Sequence, residues 1–388
     1  MANKPKVGLI LVPNHTNYGA QLQSYATQQV VESMGCDTEI LEYNASSKRN
    51  IKFYWGLIPW YIENLRKPKK SDRYKNLDEI HSENHRLRKI ASKKFKEKYL
   101  KNFHLCNGYE DLKRVGSLYN AVLIGSDQMW PAGIAFGNFI SMRFVPNGVR
   151  KISYATSCGV TSYPKYCYKS SAEMWRSFDF LSTREEQGKK LIKRICGDDI
   201  KVEVLVDPTY LLSKKEWEER IPVKKMLDEK YVVCYLIGND VNQKMCAKRY
   251  AQSRGIKLVS LMSNESVSDI DATFADINIM GAGPEDFINW IRGSECLFTD
   301  SFHGLAFSVI NEKQLYVFYR HKIGIEKSRN SRIDNIIDLW GIKDRLVLDT
   351  NRDWVIFNEI PIDYSKVSPI VCEKRNEGLA YLKRSLTF

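Results

Sequence analysis

The sequence predicts an α/β protein of two Rossmann-like halves, the first interrupted by a basic helical insertion. Strand-length apolar runs alternate with stretches of helical spacing, and this rhythm pauses near the middle of the chain and then restarts. The 388 residues also exceed the roughly 100–200 that one domain ordinarily holds. A composition of 43% hydrophobic and 27% charged residues excludes a disordered or fibrous chain.

Each element follows in order. Residues 6–12 form a buried-strand run, and Ala20, Leu22, Tyr25, Ala26, Val30 and Val31 then recur at helical spacing. Residues 38–43 read as the next strand, completing a βαβ opening of the kind that builds a parallel sheet. After an insertion over about 46–105, strands are expected at 121–124, 152–156, 178–182 and 202–206, with a helix near 185–195. These complete a first domain, 1–212. Residues 213–229 are charged and loosely patterned, as a linker would be. The second domain, 230–388, repeats the rhythm with strands at 231–237, 258–262, 295–299 and 314–319. Helices are expected over 241–253, over 284–292 and from Gly304. A final amphipathic helix over about 366–383 is expected to cross back to the first domain.

Charge is concentrated. Of the formal +13, a net +11 lies between residues 48 and 101, where seventeen Lys/Arg face six Asp/Glu. The stretch begins with Phe53, Tyr54, Trp55, Trp60 and Tyr61, followed by Arg66, Lys67, Lys69 and Lys70. Interfacial aromatics beside clustered cations fit an anionic membrane surface. The same pattern also fits a solvated helix over 78–101 behind a loop packed on the body. Nucleic acid is not expected, because no helix-turn-helix, zinc finger or RNP-like motif accompanies the charge. Every apolar run is broken before the ~18 residues of a membrane span. Nine scattered cysteines without a C-x-x-C suggest neither a disulfide framework nor a zinc cage, and a reducing cytoplasm fits.

In open α/β sheets ligands collect beyond the carboxyl ends of strands, so the strand-terminal loops hold the candidate chemistry. After the first strand, Asn17-Tyr18-Gly19-Ala20-Gln21 opens a helix whose free N–H groups suit an anion; alternatively Asn17 is an N-cap and Gly19 a packing residue. After residues 121–124 comes Gly125-Ser126-Asp127, where a carboxylate beside Ser126 could accept a sugar-hydroxyl proton or simply cap the next turn. Ser182-Thr183-Arg184-Glu185 presents a guanidinium suited to carboxylate or phosphate, unless Arg184 pairs with Glu185 or Glu186. Asp300-Ser301-Phe302-His303-Gly304 places His303 at a helix start, as a proton donor and acceptor or as a cap. Downstream, Lys327 and Arg332 supply cations that could close over a phosphate. His81 and His85 share a helix face without the H-E-x-x-H pattern, and no P-loop or G-x-S-x-G elbow occurs.

Together, N-Y-G-A-Q-L-Q at 17–23, G-S-D-Q-M-W at 125–130, S-T-R-E-E at 182–186, V-D-P-T at 206–209 and T-D-S-F-H-G at 299–304 resemble the polysaccharide pyruvyltransferase family. The resemblance implies a glycosyltransferase-B-like fold and transfer of pyruvate from phosphoenolpyruvate to a sugar, commonly as a 4,6-ketal on a hexose such as galactose. It implies His303 as acid/base, Arg184 as clamp on the donor's carboxylate or phosphate, and Asp127 as the group that orients or deprotonates the acceptor. Asn17, Gly19 and Ser126 would support the crevice, with Arg332 completing phosphate binding. No metal or cofactor is implied, since arginines and a helix N-terminus supply the positive field. Some members carry a basic residue two positions before the motif histidine, where this chain has Ser301; Arg332 or Lys327 would replace it. The resemblance extends to bacterial surface polysaccharides, hence to a lipid-linked oligosaccharide acceptor at the inner face of the membrane. Two rivals remain: a nucleotide-sugar glycosyltransferase of the same architecture, and a non-catalytic membrane-surface assembly protein.

Overall fold

The computed structural model describes residues 4–13, 16–44, 79–264, 268, 270–320, 330–350 and 357–388. The aromatic cluster from Phe53 to Tyr61, the cations from Arg66 to Lys70, and Lys327 lie outside them.

Five strands, β1 (Lys6–Ile10), β2 (Asp37–Asn44), β3 (Phe103–Asn107), β4 (Ala121–Ile124) and β5 (Arg150–Ser153), form a parallel sheet in the order β3-β2-β1-β4-β5. Two short strands, β6 (Ser182–Thr183) and β7 (Glu203–Val204), pair with each other, and single bridges at Ile152–Phe180 and Thr156–Thr183 tie them to the sheet. A second parallel sheet repeats the order, β10-β9-β8-β11-β12. Its strands are β8 (Tyr231–Tyr235), β9 (Lys257–Leu261), β10 (Ile277–Ile279), β11 (Cys296–Thr299) and β12 (Gln314–Val317). The expected pair of Rossmann-like sheets is what the chain builds. The central strands β4, β8 and β11 are buried at every residue, as a parallel sheet covered on both faces requires.

The helices are α1 (Tyr18–Ser33), α2 (Glu79–Tyr99), α3 (Tyr109–Gly116), α4 (Tyr168–Arg176), α5 (Glu186–Cys196), α6 (Lys214–Arg220), α7 (Val241–Ser253), α8 (Pro284–Gly293), α9 (Phe302–Ile310), α10 (Ser331–Leu339) and α11 (Tyr364–Ser385). Helix α6 lies within 213–229. The Ser213 hydroxyl takes the Glu216 N–H while the Glu216 carboxylate takes the Ser213 N–H, a reciprocal cap that starts a helix even in a charged segment.

The sheets are joined by specific contacts. Tyr18 of α1 stacks on Phe287 of α8 at 4.6 Å between ring centroids. Helix α11 returns to the first sheet, where Tyr381 Oη donates to the Ser153 carbonyl at 2.8 Å and Arg150 Nη1 donates to the carbonyls of Ser385 and Thr387, each at 2.7 Å.

Helix α2, read from sequence as solvated or membrane-facing, spans both sheets. It buries His81, Asn84, Arg88, Ser92 and Phe95. Asn84 donates to the Ser263 carbonyl and to Asn264 Oδ1, and accepts the Gly281 N–H. Lys96 reaches Glu42 of β2 at 2.7 Å, and Lys98 reaches Glu285 of α8 at 2.8 Å. His81 pairs with Asp271 at 3.0 Å. Arg86, Lys89, Lys93 and Lys94 stay exposed. Among the described residues no helix is long and apolar enough to cross a membrane.

Candidate active site

Strand order reverses between β1 and β4 and again between β8 and β11, and the residues beyond those carboxyl ends meet. His303 is the second residue of α9, whose N-cap Ser301 accepts the Gly304 N–H at 3.3 Å. Its buried imidazole lies directly over Gly19: a Cβ at that position would fall 1.9 Å from Nδ1. Glycine is therefore required by close approach, and the first turn of α1 forms one wall of the histidine's seat.

The other imidazole nitrogen, Nε2, stands 3.6 Å from Oδ2 of Asp207. Asp207 is 0% exposed, and both its oxygens are held. Oδ1 accepts the Thr209 N–H at 3.1 Å and the Thr209 hydroxyl at 2.9 Å. Oδ2 accepts Arg184 Nη1 at 2.9 Å and stands 2.8 Å from the Ser126 hydroxyl, which is also 2.8 Å from the Ala155 carbonyl. Burial by itself would push this carboxyl up, but the charges of His303 and Arg184 and the Thr209 N–H prevail and hold it well below the usual carboxylate range.

Arg184 also meets Glu185 at 3.2 Å and lies 4.2 Å over the Phe302 ring. Burial opposes its charge, yet Glu185, Asp207 and Asp127 leave it more firmly protonated than an ordinary arginine. Asp127 sits in left-handed backbone at φ 81. Its Oδ1 accepts the Gln128 N–H and its carbonyl accepts the Ser157 N–H, each at 2.8 Å. Backbone strain of this kind persists where surrounding contacts fix it.

From the second sheet, α10 brings Arg332. With the Gln128 amide oxygen turned toward it, the guanidinium donates at 2.8 and 3.2 Å. Burial and the neighbouring Arg184 push Arg332 down to about 10, so at neutral pH it remains a cation, but one short of negative charge. Arg320, just past β12, donates from Nη2 to the Asp300 carbonyl at 3.3 Å, with Nε 3.4 Å from Asp300 Oδ2. Asp300 in turn accepts the N–H groups of Ile237 and Gly238. Arg184 Nη2, Arg332 Nε, Arg320 Nε and His303 Nε2 are buried without a hydrogen-bond partner. Buried donors left so are costly unless a ligand or water meets them.

His303, Arg184, Gly19, Ser126, Asp127 and Arg332 thus meet at one crevice. Asn17 caps α1, its side chain accepting the Gly19 and Ala20 N–H groups at 2.9 and 3.3 Å. Sequence reasoning gave Asp207 no role although its V-D-P-T motif was visible, and it passed over Arg320, whose signal was a lone arginine just past a strand. Cys158 is fully enclosed, and burial pushes its thiol up to about 12, far from a thiolate nucleophile.

The chain is similar in structure to UDP-GlcNAc 2-epimerase from Neisseria meningitidis, at 10% identity and TM-score 0.44 over 96% of this chain and 99% of that one. It is likewise similar to the UDP-GlcNAc 2-epimerase from Methanocaldococcus jannaschii, at 9% identity and TM-score 0.47 over 95% and 99%. A putative UDP-N-acetylglucosamine 2-epimerase from Listeria monocytogenes gives 13% identity and TM-score 0.48 over 98% and 91%. Among curated proteins none matches the chain in sequence. The family model described as polysaccharide pyruvyl transferase matches residues 17–322, a span that holds every residue of the crevice except Arg332, and the chain belongs to that family of enzymes.

Proposed function

We propose that this crevice transfers the pyruvyl group of phosphoenolpyruvate to two hydroxyls of a hexose, galactose by preference, forming a 4,6-ketal and releasing phosphate. The observation that carries this reading is the convergence of His303 with three arginines, each of which keeps one buried guanidinium nitrogen without a hydrogen-bond partner. A compact anion with one carboxylate and one phosphate would satisfy them.

The chain's residues divide the work. Arg184, Arg320 and Arg332 fix the donor's carboxylate and phosphate and keep the donor from rotating. His303 gives a proton to the methylene carbon; the double-bond electrons form the new C–H bond, and an oxocarbenium-like centre develops at the adjacent carbon. The first sugar hydroxyl attacks that centre while Asp127 receives its proton. Phosphate then leaves with its C–O electron pair, assisted by the cations, and the neighbouring hydroxyl closes the ring. Both hydroxyl protons are accounted for, one matching the proton consumed at carbon and one leaving with phosphate.

The acceptor in this reading is a bacterial surface polysaccharide or its lipid-linked precursor, reached from the inner face of the membrane. The cations of residues 48–101 that are not committed between the sheets would serve as contacts to anionic lipid. The test is incubation of the full chain with phosphoenolpyruvate and a panel of lipid-linked galactosides and other hexosides, followed by mass spectrometry. An acceptor gaining the mass of one pyruvate less one water is the expected result. Consumption of a nucleotide sugar, with phosphoenolpyruvate untouched, would overturn the reading in favour of a glycosyltransferase.

A further inference from the structure

We propose that Asp207 is a positioning residue, the fixed carboxylate that orients His303 and keeps it an imidazolium so that its proton can go to carbon. The inference rests on the transfer reading above.

Asp207 is held on both oxygens. With Oδ1 held twice by Thr209, and Oδ2 held by Arg184 and faced by Ser126, the carboxylate has no freedom to rotate. Oδ2 also stands 3.6 Å from Nε2 of His303. A group within about 4–6 Å shifts a proton equilibrium by Coulomb interaction without a formal hydrogen bond.

The other charges of the crevice make this carboxylate necessary. Arg184 shares Oδ2 with the histidine, while Glu185 and Asp127 act on Arg184. The second sheet contributes Arg320, partly offset by Asp300, and Arg332 from α10. Three guanidinium groups bring positive charge to the crevice. Asp207, wholly buried, is the negative charge nearest to Nε2.

The arrangement also settles which nitrogen acts. Nε2 keeps its proton toward Asp207. Nδ1, packed on Gly19, is the nitrogen left to give its proton to the methylene carbon. After transfer the neutral ring carries its hydrogen on Nε2, held by the carboxylate, and Nδ1 regains a proton from solvent before the next turnover.

The test uses the full chain and its histidine imidazole NMR signals. The sequence has six histidines, and His303 is assigned by the signal lost in His303→Gln. In Asp207→Asn, with folding checked by thermal melting, the His303 titration midpoint should move to lower pH by about one unit or more, and the alkaline limb of kcat should move with it. A folded Asp207→Asn with both unmoved would overturn the proposal. Should that variant not fold, nitrogen shifts of the wild-type chain decide: neutral His303 protonated on Nε2 is expected, and protonation on Nδ1 would overturn it. Failure of the transfer reading shows separately, as absent phosphate release by the wild-type chain with the His303 signals still coupled to Asp207.

Discussion

The loops after the first sheet bring Asp127, Glu185 and Asp207 around a single arginine, Arg184. Those after the second bring His303, Arg320 and Arg332, with Asp300 as the carboxylate on Arg320. The first set is largely satisfied from within, since both oxygens of Asp207 are occupied and Glu185 takes both the Ser157 hydroxyl and Arg184. The second set keeps three buried donors without partners, Arg320 Nε, Arg332 Nε and His303 Nε2, against one in the first, Arg184 Nη2. One side thus acts as a scaffold of fixed negative charge, and the other holds cations ready for an anion. Neither half is a site alone: the histidine belongs to the second sheet, while its seat, Gly19 and Asp207, belongs to the first.

If that division is right, arginines on the two sides should respond differently to removal. Arg184→Ala leaves Asp207 buried beside an empty space and should cost about 3–5 kcal/mol of stability, read as a fall in melting temperature. Arg332→Ala relieves a cation that is already under-compensated, and should raise the donor KM while leaving the melting temperature nearly unchanged. Equal destabilisation by the two would erase the distinction.

Gly19→Ala probes the seat. The added methyl must displace the His303 ring, and an ångström of misplacement in a reacting group costs about 10²-fold in rate, so kcat should fall by that order with donor affinity retained. A variant with wild-type kcat would mean that the imidazole does not act from this position.

The smallest effect concerns acid. The Asp207 carboxyl is held below its unfolded value, so it contributes stability that is fully present above the ordinary carboxylate range near pH ~3.9 and lost as pH falls toward the depressed native value. The melting temperature should therefore drop more steeply below about pH 4 in the wild-type chain than in Asp207→Asn; parallel curves would place the acid sensitivity elsewhere.

Sequence patterning revealed the central strands because β4, β8 and β11 are unbroken apolar runs, and it revealed the loops after them because each joins such a run to a turn. Edge strands were harder to see. In β3 only Cys106 is buried, and Phe103 and Leu105 are exposed, so the segment looked like part of the insertion, whose expected end at 105 falls inside it. Helix α2 misled for a different reason. Its buried positions, 81, 84, 88, 92 and 95, have helical spacing, but four of the five are polar or charged, so a count of apolar residues describes a solvated face where hydrogen bonds join the sheets. The same limit hid Asp207 and Arg320. Their roles come from partners far away in the chain, and spacing along one segment carries no record of that.

The most direct test of the whole account separates donor binding from turnover in His303→Gln. With its arginines intact, the variant should bind phosphoenolpyruvate about as well as the wild-type chain does, while acceptor-dependent phosphate release falls by about 10²–10⁴-fold. Release at the wild-type rate from a folded His303→Gln, or a wild-type chain that does not bind phosphoenolpyruvate, would contradict it.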